Sequence, residues 1–155
     1  MRKTFQKAYK GQPMHAAPAL TIPQLIAPLI VAAVFMAACS LFKEPNRQNF
    51  SAIMSAGAGA AYLNGGFGKW EFVFCGLLTF LAYRGLKDYR FIGVAWVLHT
   101  VWDVLHHLYG TPIVPFVATS SAGCAICDLA LAVWYFLGAP SIYSIIRSKP
   151  LITTQ

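Results

Sequence analysis

Between Thr21 and Phe42 the chain runs for 22 residues without a charged side chain. As a helix this stretch rises about 1.5 Å per residue, enough to cross the roughly 30 Å hydrocarbon core of a bilayer. Pro23 and Pro28 lie in its first half, one suited to a helix start and the other to a mild kink. Apolar runs recur over Ser51–Gly68, Trp70–Tyr83, Phe91–Tyr109 and Ile113–Leu137. Only 11% of the 155 residues are charged, against about 25% in a soluble domain that must wet its surface. The first run also admits a rival reading as a cleaved signal segment, because Met36-Ala37-Ala38-Cys39 resembles a lipoprotein box. The approach to it is too long, Met is a poor first residue for such a box, and further spans follow, so a retained span is expected.

The net charge of +7 does not point to nucleic acid. Arg2, Lys3, Lys7 and Lys10 precede the first run, Arg84, Lys87 and Arg90 separate two others, and Arg147 and Lys149 follow the last. These side chains punctuate apolar segments and do not form one basic face interleaved with aromatics. The expected partner is the lipid bilayer, with a homo-oligomer or a membrane-protein partner also compatible.

The organisation expected is a basic cytoplasmic arm over 1–19, a transmembrane helix bundle over 20–140 and a cytoplasmic tail over 141–155. Ser51, Ser55 and Gly59 recur every four residues, a spacing that lets helices approach closely in a membrane. Gly65, Gly66 and Gly68 then break the helix. If 51–68 spans fully, the two sides carry five and seven basic residues; if it turns back to the face it left, the count is nine inside and three outside. The positive-inside rule therefore favours an all-α bundle of four spans plus one short re-entrant or broken helix, with both termini cytoplasmic in a bacterial inner membrane. Five spans is the alternative.

One stretch carries chemistry. In His99-Thr-Val-Trp-Asp103-Val-Leu-His106-His107, a 100° turn per residue gathers His99, Asp103 and His106 within about 60° of arc, with His107 at the edge. Cys124, Cys127 and Asp128 share one face of the next run, and Glu71 and Cys75 stand one turn apart on an earlier one. Counted from the outer span ends, these groups fall in the same half of the membrane. Ionisable groups at that depth are costly and face a bundle interior or water.

Three readings follow. His99, Asp103, His106 and His107 offer ligands for a metal ion or a haem iron, with Glu71 and Asp128 supporting them or handling protons. A c-type haem is disfavoured because Cys124-Ala-Ile-Cys127 is followed by Asp128 instead of His. Cys124 and Cys127 alternatively suit thiol-disulfide chemistry if the helix begins close before them. The plain reading is a structural or assembly protein whose polar core is satisfied by hydrogen bonds. The run Ala61-Tyr-Leu-Asn-Gly-Gly-Phe-Gly, continuing through Trp70-Glu71 and then His99–His107, resembles a family of small bacterial membrane proteins of unknown function. The similarity extends over roughly residues 50–140. It implies a small multi-pass membrane protein and lends no catalytic residues.

Overall fold

In the computed structural model the described residues are 20–63, 66–114 and 116–147, and they contain helices and no strand. The basic arm over 1–19 and the end of the tail, 148–155, lie outside them. The helices are α1 (Ile22–Cys39), α2 (Asn46–Gly59), α3 (Lys69–Gly85), α4 (Tyr89–Tyr109), α5 (Ser120–Phe136) and the short α6 (Ile142–Arg147). α4 and α5 form the most extensive pairing; α1 lies on α5, α3 on α4, and α2 between α3 and α4.

Polar contacts fix which helix ends meet. At one end the Gln24 amide of α1 donates to Thr119 Oγ1 (3.1 Å), just before α5. The hydroxyls of Ser120 and Ser121 there accept the N–H groups of Val114 and Ile113. At the other end Arg47 is buried and donates to the carbonyls of Ala139 (2.9 Å) and Phe42 (3.1 Å). Gln48 donates to the Gly85 carbonyl (2.8 Å). The Tyr89 hydroxyl donates to Glu44 (2.9 Å), and the Ile142 N–H to Ser40 Oγ (3.1 Å). These contacts define a Thr119 end and an Arg47 end.

The chain leaves the Thr119 end along α1, returns along α2 and residues 60–63, and then alternates through α3, α4 and α5 to the Arg47 end. The segment expected to turn back to the face it left crosses the bundle instead, so the chain passes through five times. Ile22 and Ile142 consequently stand at opposite ends, not together as the four-span reading required. Two helix starts also differ from expectation. α2 begins at Asn46, five residues before the apolar run over Ser51–Gly68, because the Arg47 and Gln48 side chains find carbonyl partners at Ala139 and Gly85. α5 begins at Ser120, seven residues after Ile113, because the two serine hydroxyls hold the preceding loop folded back on the helix.

α2 ends at Gly59, well before the glycine cluster. A Cβ at Gly59 would lie 2.8 Å from Leu78 Cβ of α3, so the close approach of these helices depends on its absence. Gly68, with φ near 62°, leads into α3 in a conformation that L side chains rarely adopt.

Polarity is distributed inside out. Val34, Phe72, Val73, Phe80, Val101, Leu129 and Val133 are exposed, while Glu71, His99, Asp103, His106, Ser121 and Asp128 are buried. α1 is long and apolar enough to cross a membrane by itself; α5 is apolar but shorter.

Candidate functional site

The buried polar groups converge where α4 and α5 face the broken end of α2. His99 and Asp103 stand one turn apart on α4, and Asp128 reaches them from α5. His99 Nε2 lies 3.0 Å from the Ala58 carbonyl in the last turn of α2. A carbonyl oxygen only accepts, so Nε2 carries the hydrogen. Nδ1 therefore faces the carboxylates, 2.7 Å from Asp128 Oδ2 and 3.3 Å from Asp103 Oδ2. The C-terminal end of α2 supplies a partial negative charge at the same place, which suits an imidazole that donates to it.

Tyr62, buried in the non-helical stretch after α2, closes the network. Its hydroxyl lies 2.5 Å from Asp103 Oδ1 and 3.0 Å from Ser121 Oγ. A phenol has one hydrogen. The shorter contact to a carboxylate takes it, and the Ser121 hydroxyl donates in return while accepting the Ile113 N–H. The Tyr62 ring stacks on His106 (4.0 Å between centroids, 16° between planes), and Phe67 and Trp102 complete an aromatic box around that imidazole.

The structure thus gathers His99, Asp103 and Asp128, one potential ligand atom from each lying within 4.8 Å of the others. His106 belongs to the aromatic box, and His107 is partly buried outside the three-residue group. Asp128, expected in a supporting role, touches His99 directly. The late start of α5 explains this: eight residues in, Asp128 stands about 12 Å deep, level with Asp103 about 9 Å from the end of α4. Glu71 lies in the first turn of α3 and accepts the Phe67 N–H (2.8 Å), a local cap beneath the Gly66–Gly68 turn. Cys124 and Cys127 are free, partly buried thiols at the fifth and eighth positions of α5. They lie beyond the first turn, where a helix N-terminus favours a thiolate. Cys39 is buried near the Arg47 end and Cys75 faces Gly59, so the four cysteines do not assemble. Tyr62 and the Ala58 carbonyl were not anticipated; the only trace of them in the sequence is an aromatic hydroxyl just ahead of a glycine cluster.

The donors suit a metal ion. One imidazole and two carboxylates form a mixed N/O set, and a backbone carbonyl on the remote ring nitrogen is the usual orienting contact for a ligating histidine. Ligands on a tetrahedral ion with bonds of about 2.0–2.2 Å stand about 3.4 Å apart. His99 and Asp128 at 2.7 Å are hydrogen-bonded and would have to part by several tenths of an ångström. Haem fits poorly, because the His99 ring is packed among Tyr62, Phe74 and Trp96.

Residues 23–141 match the model of a family of unknown function (DUF6010), more than half of the chain. The chain belongs to this family. The match takes in α1 to α5 and every member of the cluster. No curated protein and no solved structure matches the chain.

Proposed function

We propose that this family member is a multi-pass integral membrane protein whose working centre is a divalent-metal site formed by His99, Asp103 and Asp128. The observation that carries the metal reading is the convergence of the three groups in the interior, with the Ala58 carbonyl orienting His99. Burying two carboxylates beside one imidazole is costly without further positive charge. Arg47, the buried arginine, lies at the opposite end of the bundle. A divalent ion offsets both carboxylates. The mixed N/O donors favour zinc, manganese or ferrous iron over soft, thiolate-seeking ions.

The inside-out distribution of polarity supports residence in a membrane, because exposed apolar faces on α1, α3, α4 and α5 need a nonpolar surrounding. Counted over the whole sequence, five crossings leave seven basic residues on the side of the Arg47 end and five on the side of the Thr119 end. This small excess supports our reading of the Arg47 end as cytoplasmic in a bacterial inner membrane, with the metal centre toward the outer side.

Metal titration of detergent-purified, chelator-stripped protein tests the site. Co²⁺ serves as an optical probe alongside zinc and manganese. One equivalent should bind, with binding lost in Asp103→Ala and Asp128→Ala and kept in His107→Ala. No binding, or binding indifferent to both aspartates, would overturn the metal reading. In that case the complete hydrogen bonding of the cluster favours a second reading, a structural polar core that fixes the pairing of α4 with α5. Recovery of the protein in the soluble fraction without detergent would separately overturn membrane residence.

A further inference from the structure

A second feature, unrelated to the buried cluster, lies at the Arg47 end. Where α2, the α3–α4 junction and the end of α5 meet, a cleft of about 460 Å³ opens between Gln48, Lys87, Asp88, Arg90, Tyr135 and Phe136. Its size falls within the range of small-molecule sites. The two halves of its wall differ in chemistry. One half is cationic: the Arg90 side chain is 80% exposed and holds Asp88 through Nε alone (3.4 Å), leaving the rest of its guanidinium fork outward. Asp88 is further occupied in capping α4, where it accepts the Arg90 N–H (2.9 Å). Lys87 is exposed and makes no ion pair with a carboxylate among the described residues. The opposite half is apolar: Phe136 continues into the exposed Leu137 and Val133 along the outer face of α5.

A site with two cations at its mouth and an apolar strip running away from it along a helix fits an amphiphile with a phosphate head. We propose that this cleft binds the phosphate headgroup of an anionic phospholipid, with Lys87 and Arg90 on the phosphate oxygens and an acyl chain along Phe136 and Val133. Arg90 supplies the planar donor pair that phosphate takes, and Lys87 the point charge. The source is a lipid and not a soluble phosphate ester, because the cleft opens directly onto the exposed apolar face of α5, where an acyl chain joined to the headgroup would lie. Basic pockets at the cytoplasmic ends of spans are where anionic headgroups are held. This inference rests on the membrane reading above and is independent of the metal centre.

The test is thermal unfolding of the full chain in a neutral detergent with added phosphatidylglycerol, phosphatidylcholine or inorganic phosphate. Phosphatidylglycerol should raise the midpoint by roughly 5 °C at saturation. The increment should vanish in the double variant Lys87→Gln, Arg90→Gln and persist in Arg84→Gln, whose guanidinium lies over the Phe91 ring. Equal stabilisation by phosphatidylcholine, or an undiminished increment in the double variant, would overturn the site. An increment of the same size from inorganic phosphate alone would overturn the lipid assignment in favour of a soluble phosphate compound. Should the double variant unfold before it can be assayed, Lys87→Gln alone, at an exposed position, must lower the apparent lipid affinity at least threefold for the proposal to stand. A protein that stays soluble without detergent refutes membrane residence whatever the lipid result, so the two failures are distinguishable.

Discussion

His99 decides what the cluster is, because each of its ring nitrogens has one assignable role. Nε2 is committed to the Ala58 carbonyl, and Nδ1 shares a proton with Asp128 at 2.7 Å while Asp103 Oδ2 stands 3.3 Å away. Removing Asp128 breaks the shorter of the two Nδ1 contacts and leaves a space beside the imidazole. In Asp128→Ala the expected loss is about 3 kcal/mol, the scale at which a buried pair loses one partner, read as a fall in the midpoint of thermal unfolding in detergent. Tyr62→Phe removes a hydrogen bond to a charged acceptor while leaving the ring stacked on His106. Bonds to charged groups contribute about 1.5–3 kcal/mol in soluble proteins, but polar pairs between membrane helices average well under 1. An expected loss of about 1–2 kcal/mol lies between these limits. Tyr62→Phe should therefore be the milder of the two variants; an equal or larger loss would mean that Asp103 and not His99 anchors the network.

Among the elements, α2 matters most to the site because it stops where it does. A helix continued through residues 60–63 would carry Tyr62 around its axis, away from Asp103; in the turn that replaces it the Ala58 carbonyl accepts both the Ala61 N–H and His99 Nε2. The turn keeps its backbone bonded locally, with the N–H groups of Ala60, Ala61 and Leu63 on the carbonyls of Gly57, Ala58 and Ala60, while the Tyr62 side chain turns inward onto the polar cluster. Gly59 permits the approach of α2 to α3, and two opposed effects bear on Gly59→Ala. Helix propensity favours alanine by about 1 kcal/mol, yet a Cβ at 2.8 Å from Leu78 Cβ requires repacking of the kind that costs about 1–3 kcal/mol. The expected net effect is destabilisation by about 1 kcal/mol. Gly76, also helical, has nothing within 4 Å of where a Cβ would stand. Gly76→Ala should be neutral or stabilising by up to about 1 kcal/mol, and comparison of the two midpoints checks the claim.

The elements were legible in the sequence wherever an apolar run lasted long enough, as in α1, α3 and α4. The ends of α2 and α5 were not, because they are set by long-range partners: Gln48 with Gly85, and Ser120 and Ser121 with the loop before them. That displacement carried through to the site. His99 and Asp103 were visible as one helical face, but a start for α5 placed too early put Asp128 several ångströms too deep to be seen as their direct partner. Tyr62 lies in a turn, where periodicity carries no information about direction.

For the whole molecule, an odd number of passes replaces the even number that charge counting favoured. The count of nine against three rested on treating 51–68 as a turn back, and it grouped the N-terminal arm with Arg84, Lys87 and Arg90. Once α2 crosses, the whole sequence leaves seven basic residues on the side of the Arg47 end against five on the other. Arg47 also explains why that end is ordered: it is buried, bonds carbonyls before α2 and after α5, and stands 3.5 Å from Glu44. Lysine cannot reproduce this fork, so Arg47→Lys should cost nearly as much as Arg47→Ala, about 2–3 kcal/mol. The orientation has its own test. A fluorescent reporter that folds only in the cytoplasm should be bright when fused after Arg147 and dark when placed in the loop after Tyr109. An alkaline phosphatase reporter, active only outside, should give the opposite pair. If both fusion sites favoured the same reporter, the passes between them would be even in number, and α5 could not be the membrane-spanning helix on which Asp128 depends to reach His99.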